Sequence, residues 1–412
     1  MDNSKIAVIG GGAAGMMAAG TAALLGADVT VFEHTTRLGK KLAITGKGRC
    51  NVTNSSGRDS HMENITKNSR FMYSALDALS AEDTINLFTS LGVKLKVERG
   101  NRVFPEDDKA KTIVDALVNY CSSAKIIYEH VASISYSDGV YSVKTRSSEY
   151  EFSRVILATG GKSYPLTGSD GSGYKLAKRF GHTVSELIPS LIPLTSPSPL
   201  CVDMQGLSLR NISISIRDED GKIIYTDFGE MMFTHFGVTG PVILSASAHL
   251  RERDISKLTL SIDLKPALDE ATLDARLLSD FRENCNRDLI NALGALLPQK
   301  MILPFINYCK INPRAKVNTI TKQERKRMLT SLKSFEIPLL GMRPIEEAII
   351  TSGGISVKEI NPKTMESKLS PGLYFAGEMI DVDAYTGGFN LQIAFSTGYL
   401  AGKSAAESII YL

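Results

Sequence analysis

An α/β fold, interrupted by an insert of strands and then helices, is what this sequence predicts, and three observations carry the prediction. The chain opens with an apolar run, Lys5-Ile-Ala-Val-Ile9, that enters Gly10-Gly11-Gly12-Ala13-Ala14-Gly15. Two later apolar runs also end at glycine: Arg154-Val-Ile-Leu-Ala158 before Thr159-Gly160-Gly161, and Leu373-Tyr-Phe-Ala-Gly377. Between these two, past Pro189, Pro193, Pro197 and Pro199, the pattern turns to alternation, as in Asn211-Ile-Ser-Ile-Ser-Ile216, and then to helices over residues 267–335.

Residues 5–33 form a strand–glycine turn–helix–strand unit. Gly10 permits the tight turn, Gly12 leaves room for a pyrophosphate, and Gly15 lets the helix lie against the strand. The helix start presents free N–H groups to the phosphates. Glu33, just past the second run Asp28-Val-Thr-Val-Phe32, suits a ribose hydroxyl and disfavours a 2′-phosphate. The expected ligand is therefore FAD or NAD rather than NADP. Residues 37–57 are rich in Gly, Lys and Asn and read as a long functional loop. Helices are expected at about 80–91 and 107–121, the second with acids in its first turn and Ile113, Val114, Leu117, Val118 and Cys121 on one face. Residues 125–153 read as short strands with a turn at Ser137-Asp-Gly139. Ser169-Asp-Gly-Ser-Gly173 lacks the spacing of a second nucleotide loop and reads as a turn before the helix that ends at Gly181. The α/β character returns near Ile349, and a last helix starts at about Asn390. The expected domains are 1–190, 191–345 and 346–412, the outer two being halves of one nucleotide-binding domain.

Bulk properties narrow the class. The chain has 412 residues, 43% hydrophobic and 22% charged, enough for two or three cored domains. A net charge of +3 argues against nucleic acid or an anionic membrane as partner. Cys50, Cys121, Cys201, Cys285 and Cys309 form no CxxC pair, which fits a reducing cytoplasm and suggests no cysteine zinc site. No apolar run is long enough to span a bilayer, and the first resembles no signal segment.

Three glycine turns at strand ends suggest one long ligand laid across a single crevice. Behind Thr386-Gly-Gly-Phe-Asn390, a helix start would stabilise the negative charge of a reduced flavin, with Asp381 on a ribityl hydroxyl. The alternative there is a structural helix capped by Asn390. None of the six histidines pairs with another at metal spacing, so no metal is expected. His235, in the glycine-rich Phe233–Gly240 segment, is the candidate pocket residue. Lys322, Arg325, Lys326, Arg327 and Lys333 read as a solvated basic helix face, without the aromatic interleaving of an RNA surface.

The segments GKKLAITGKGRCNVTN (39–54), ILATGGKSYPLTGSDGSGYKLAKRFGH (156–182), GEMMFTHFGVTGP (229–241) and PGLYFAGEMIDVDAYTGGFNLQIAFSTGYLAG (371–402) resemble the BaiN/YhiN-type flavoproteins, also labelled aminoacetone-oxidase-like, over nearly the whole chain. The resemblance implies a glutathione-reductase-like Rossmann FAD domain split in sequence, with an inserted β-barrel-like plus helical domain and non-covalent FAD. By position it implies FAD contacts from Ala14, Glu33, Lys40, Lys41, Thr45, Gly46, Val131, Thr159, Gly160, Asp381 and Ile393. It sets Arg49, Cys50 and Asn51 near the isoalloxazine. Gly10, Gly12, Gly15, Gly377 and Asn390 join this set from the turns read above. One member type reduces the Δ4 and Δ6 double bonds of 3-oxo bile-acid intermediates, and the present chain is expected to do the same. NAD(P)H would be the transient donor, the substrate apolar and steroid-sized, and Tyr164, Tyr385 and His235 the candidate proton donors. Alternatives are an aminoacetone-type oxidase releasing hydrogen peroxide and an RNA-binding or tRNA-modifying flavoprotein. The sequence does not choose NADH over NADPH and does not give an oligomeric state.

Overall fold

Strands whose every interior residue is apolar belong where both faces of a sheet are covered. Ile6–Ile9 and Val155–Leu157 are such runs, Val29–Phe32 departs from the pattern only at Thr30, and all are buried. In the computed structural model, which describes residues 5–251 and 253–410, they form a parallel sheet of five strands. Its order is Leu373–Phe375, Arg154–Leu157, Lys5–Ile9, Asp28–Phe32, Lys125–Ile127. Val8 pairs with Ile156 on one side and Val31 on the other. Pairing of Leu373 with Val155 makes the sheet from both ends of the chain.

Helix Ala13–Leu24 lies against the long helix Phe389–Ile410. Small residues set that approach. A Cβ on Gly398 would stand 2.4 Å from the Ala14 carbonyl oxygen, and one on Gly402 2.3 Å from that of Ala18. Glycines four residues apart thus let the two backbones touch. Between the third and fourth sheet strands in sequence, the chain forms a hairpin meander, Ser133–Ser137, Val140–Lys144 and Glu149–Phe152. Its first turn has positive φ at Asp138 (51°) and Gly139 (81°), as a two-residue hairpin loop requires.

Two local expectations are corrected. Residues 37–57 are not all loop: Lys40–Ile44 is helical and Thr45–Gly48 is a 3-10 turn, entered and left through left-handed Gly39, Gly46, Lys47 and Cys50. The helix near 107 begins only at Ala110, so Asp107 and Asp108 precede its first turn. Asp107 accepts hydrogen bonds from the Lys109 N–H and the Thr112 hydroxyl, while Asp108 pairs with Lys96 and Arg49. On that helix Val118 is exposed rather than buried.

The chain divides into two compact units, one ending at Pro189 and resuming at Ile345, the other Ser190–Pro344. The second unit has its own core and a seven-stranded antiparallel sheet. Strand Phe335–Pro338 lies at one edge of that sheet and Gly341–Met342 at the other. Only Leu339 and Leu340 separate these edges in sequence. Leu339 N–H bonds to Leu258 O and Leu340 N–H to Thr195 O, so the sheet curls until its edges nearly meet. Helices Glu270–Glu283, Gln299–Tyr308 and Lys322–Lys333 complete this unit. It begins and finishes in one place, where Arg343 N–H bonds to Pro193 O.

Candidate functional site

The glycine turn of the first unit fits a pyrophosphate on structural grounds. A Cβ on Gly10, where φ is +107°, would lie 2.5 Å from the Ala158 oxygen, and one on Gly15 would lie 1.8 Å from the Gly10 oxygen. Those two glycines are obligatory for packing. Gly12 differs: a Cβ there would meet nothing within 4 Å. Its open side coincides with the start of helix Ala13–Leu24, which has no side-chain cap. Uncapped N–H groups beside open space form a ready anion cradle.

Glu33 is buried, and both its oxygens face backbone donors: Oε2 accepts from Gly11 N–H at 2.8 Å and Oε1 from Thr35 N–H at 2.7 Å. These bonds fix the carboxylate at the turn and leave acceptor capacity for a hydroxyl. Glu33 N–H bonds to Ile127 O, which ties the turn to the edge strand that leads on to buried Val131.

The other two strand ends converge on the same helix start. Gly377, with φ +76°, packs so closely that a Cβ would lie 2.7 Å from Ala14 Cβ. Thr159 and Gly160 follow the Arg154–Leu157 strand, and a Cβ on Gly160 would touch Ser169 Oγ at 2.7 Å. Ser169 to Gly173 turns into helix Ser172–Arg179, with Gly173 pressed on Thr159. The buried oxygens Asn51 Oδ1, Ser169 Oγ, Tyr174 OH and Ser352 Oγ have no hydrogen-bond partner among the described residues. Buried polar atoms are normally satisfied, so these four mark positions where a polar ligand fits.

Lys41 is the centre of a node that sequence reasoning missed. Its Nζ donates to Ser163 Oγ at 2.6 Å and pairs with Glu378 Oε2 at 2.5 Å. Glu378 Oε1 accepts from the Thr351 N–H at 2.8 Å and from Ser163 Oγ at 3.0 Å. Four distant segments are thereby joined. The available signal was an acid directly behind the third glycine turn, with a Lys pair near residue 40 to answer it. Lys40 begins the same short helix as Lys41.

Beyond the helix, Thr45 Oγ1 bonds to Leu42 O, and a Cβ on left-handed Gly46 would lie 3.2 Å from Asn51 N. The Arg49 side chain turns toward residues 95–108. Its guanidinium pairs with Glu98 and Asp108 at 2.5 Å each and lies 4.2 Å over the Phe104 ring. Those hydrogen bonds raise its pKa. Cys50 is fully buried in a left-handed conformation, and burial pushes its thiol up to about 12. It is a packed thiol with no nucleophilic character at neutral pH.

Asp381 is buried and pairs with Lys67 Nζ at 2.8 Å, while its carbonyl accepts from Asn68 Nδ2. Asn390 does not cap its own helix. Its side chain donates to Ala384 O and Tyr385 O and accepts from Ala384 N–H, which pins the preceding loop and overturns the cap reading. The helix starts one residue earlier, at Phe389, and buried Ile393 offers its carbonyl to Thr397 Oγ1.

Of the three candidate donors two, Tyr164 and Tyr385, belong to the first unit and His235 to the second. Tyr164 is exposed, has φ +53° and adjoins Ser163 of the Lys41 node. Tyr385 N–H bonds to Asn64 O beside the Asn390 staple. His235 is an exposed residue of the second unit, edge-on to Phe236.

Comparison with known proteins follows the same lines. The chain is 29% identical to a 3-dehydro-bile acid delta(4,6)-reductase of Clostridium scindens, over 98% of this chain and 99% of the relative. It is 30% identical to a ribosomal RNA dihydrouridine synthase of Haemophilus influenzae, over 98% and 99%. It shares its fold with a 3-ketosteroid delta1-dehydrogenase from Sterolibacterium denitrificans, with a TM-score of 0.52 at 12% identity, covering 98% of this chain and 100% of the other. The HI0933-like protein Rossmann domain matches residues 4–404. The chain therefore belongs to the HI0933-like family, FAD-dependent oxidoreductases built on a Rossmann-type α/β fold of the glutathione-reductase kind.

Proposed function

We propose that this protein reduces a carbon–carbon double bond conjugated to a carbonyl, with NAD(P)H as the electron source and FAD held non-covalently in the first unit. The observation that carries the reading is the convergence of three strand ends on one uncapped helix start, open at Gly12. The names of the relatives supply the reaction class. A delta(4,6)-reductase of a 3-dehydro-bile acid saturates alkenes conjugated to a ketone. Dihydrouridine is uridine with its 5,6 double bond saturated, and that bond is conjugated to the uracil C4 carbonyl.

FAD, when bound, supplies a two-electron carrier that passes hydride to the electron-poor alkene carbon. The residues then divide the work. Gly10, Gly12, Ala14 and Gly15 receive the pyrophosphate, and Glu33 with Val131 the adenosine. Lys40, Lys41, Thr45, Gly46, Thr159, Gly160 and Gly377 line its course. Asp381, Asn390, Ile393, Asn51 and Arg49 serve the flavin half, with Arg49 acting through the 95–108 segment it holds. Tyr164, Tyr385 and His235 are the groups to test for carbonyl polarisation and α-carbon protonation. The high thiol pKa of Cys50 supports non-covalent attachment. Among the described residues no helix is long and apolar enough to cross a membrane.

Two substrates carry the required bond: an apolar, steroid-sized 3-oxo acid, and a uracil base within RNA. The second is favoured by the charge distribution described below. The test is anaerobic stopped-flow on the flavin-loaded protein. Bleaching by NADH or NADPH, then reoxidation by a 3-oxo-Δ4 steroid acid or a uridine-containing RNA, is expected. A reduced flavin that ignores both and reoxidises only in air, with peroxide formed from aminoacetone, overturns the reading in favour of an amine oxidase.

A further inference from the structure

The total charge of +3 is the sum of two unlike parts. Between Arg282 and Lys333 the chain carries eleven Lys or Arg against three Asp or Glu, a net of +8. Everything else sums to −5. The excess is not neutralised locally. Arg287, Lys310, Arg314, Lys322 and Lys326 are exposed and have no ion-pair partner among the described residues. Of the three acids, Asp288 pairs with Lys316, and Glu324 is committed to the capping box of its helix with Thr321.

The backbone gathers these cations. Residues 285–290 run beside 313–318: Val317 N–H bonds to Arg287 O, Leu289 N–H to Ala315 O, Ile290 N–H to Pro313 O and Asn318 N–H to Cys285 O. Arg287 and Arg314 therefore project from two chain segments bonded to each other. Arg327 Nε then donates to Cys309 O at 3.0 Å, which docks helix Lys322–Lys333 next to Lys310. Three elements contribute to one basic surface rather than one helix face.

We propose that this surface of the second unit docks the phosphate backbone of folded RNA. Unpaired Arg and Lys on several rigid segments suit a track of phosphates, for which Arg provides a two-pronged donor. The surface lacks what other polyanion partners require. Of its large apolar residues only Leu303 is markedly exposed, which is too little to insert into a lipid surface. Stacking aromatics are absent from its exposed large side chains, so contact is with backbone and shape rather than unpaired bases. The choice of RNA over DNA rests on the uracil form of the reading above, whereas the docking itself does not depend on turnover.

The test is fluorescence anisotropy with the flavin-loaded full chain and a structured stem-loop RNA with uridines in its loop, across a salt series. Binding should weaken steeply with salt. Arg287→Gln/Arg314→Gln/Lys322→Gln/Lys326→Gln should lose at least about tenfold in affinity, with a salt slope smaller by roughly 3. The pair Lys322→Gln/Lys326→Gln alone should lose part of this and guards against misfolding of the fourfold variant. Flavin absorbance and reduction by NAD(P)H should be unchanged. Equal affinity and slope in wild type and both variants overturn the proposal. So does equal competition by a DNA duplex of the same sequence, or capture by phosphatidylglycerol vesicles that the variants abolish. RNA bound through this surface but left unreduced supports the docking and rejects the uracil reading. Reduction of a small enone with RNA ignored does the reverse.

Discussion

The two units bury different things. Among the described residues, twenty buried polar or charged side chains lie in the first unit, including Glu33, Asp381, Asp383, His61, His182 and Gln392. Among the described residues of the second unit the buried polar side chains are four serines, Ser190, Ser247, Ser261 and Ser331. A buried polar group stabilises only when its partners are present, so those in the first unit with partners on other segments, such as Glu33 and Gln392, constrain several segments at once. The second unit is an apolar core in a charged shell. One region is organised around fixed interior polarity and close backbone contacts; the other keeps its polarity outside, where it can meet a partner.

The sharpest break of this contrast uses glycine. Gly15→Ala drives a Cβ to 1.8 Å from the Gly10 oxygen and is expected to cost about 3 kcal/mol or more, with loss of the yellow colour on purification. Gly294→Ala in the second unit meets nothing within 4 Å and should stay within about 0.5 kcal/mol in the same thermal melt. A silent Gly15→Ala would show that the close approach is not required.

Next in size is the interior network. Gln392 Nε2 donates to Leu79 O, Thr84 Oγ1 and Ser396 Oγ, and its Oε1 accepts from Thr53 Oγ1 at 2.6 Å. Gln392→Leu removes four buried hydrogen bonds and strands the Thr53 hydroxyl, while Leu79 O keeps Ser396 Oγ and Thr84 Oγ1 keeps Ser80 O, and denaturant unfolding should show about 3 kcal/mol lost. Ser261→Ala removes one bond to Ser334 and should cost about 1 kcal/mol. Equal losses would dissolve the distinction.

The smallest effect is on pH. Burial lowers the pKa of His61 and of His182 below 6.5, so the folded state holds both neutral while the unfolded chain protonates them first. Their stabilisation is complete above pH 6.5 and declines as pH falls below that value toward their folded pKa values. Between pH 7 and 5, the melting temperature of His61→Gln/His182→Gln should therefore fall less than that of the wild type. Parallel curves would refute this.

What the sequence revealed followed the range of the interactions. The parallel strands, the fingerprint and Glu33 were legible because their chemistry is local: period, turn and acid lie within residues 5–33. The Lys41–Ser163–Glu378 node was not, because its members are 122 and 337 residues apart and each looks ordinary alone. The capping alternative for Asn390 failed for the related reason that its partners lie upstream, at Ala384 and Tyr385, rather than in its own helix. The curl of the second sheet was implied by the family resemblance alone, because its closing strands, Leu194–Thr195 and Gly341–Met342, are too short to show alternation. Of the basic surface only the Lys322–Lys333 helix stood out, as a solvated face, because Arg287, Lys310 and Arg314 are scattered in sequence and the overall charge averages the excess away.

The hydrogen bond from Arg343 to Pro193 brings the two ends of the second unit side by side. To the rest of the chain, everything in between is a loop with neighbouring ends, and the entropy of closing a loop grows only slowly with its length. A lineage can thus enlarge, trim or replace the contents while the first unit keeps its redox machinery. Relatives with one oxidoreductase chassis and unlike substrates are the natural outcome of such a socket, and diversification should be sought in what was plugged into it.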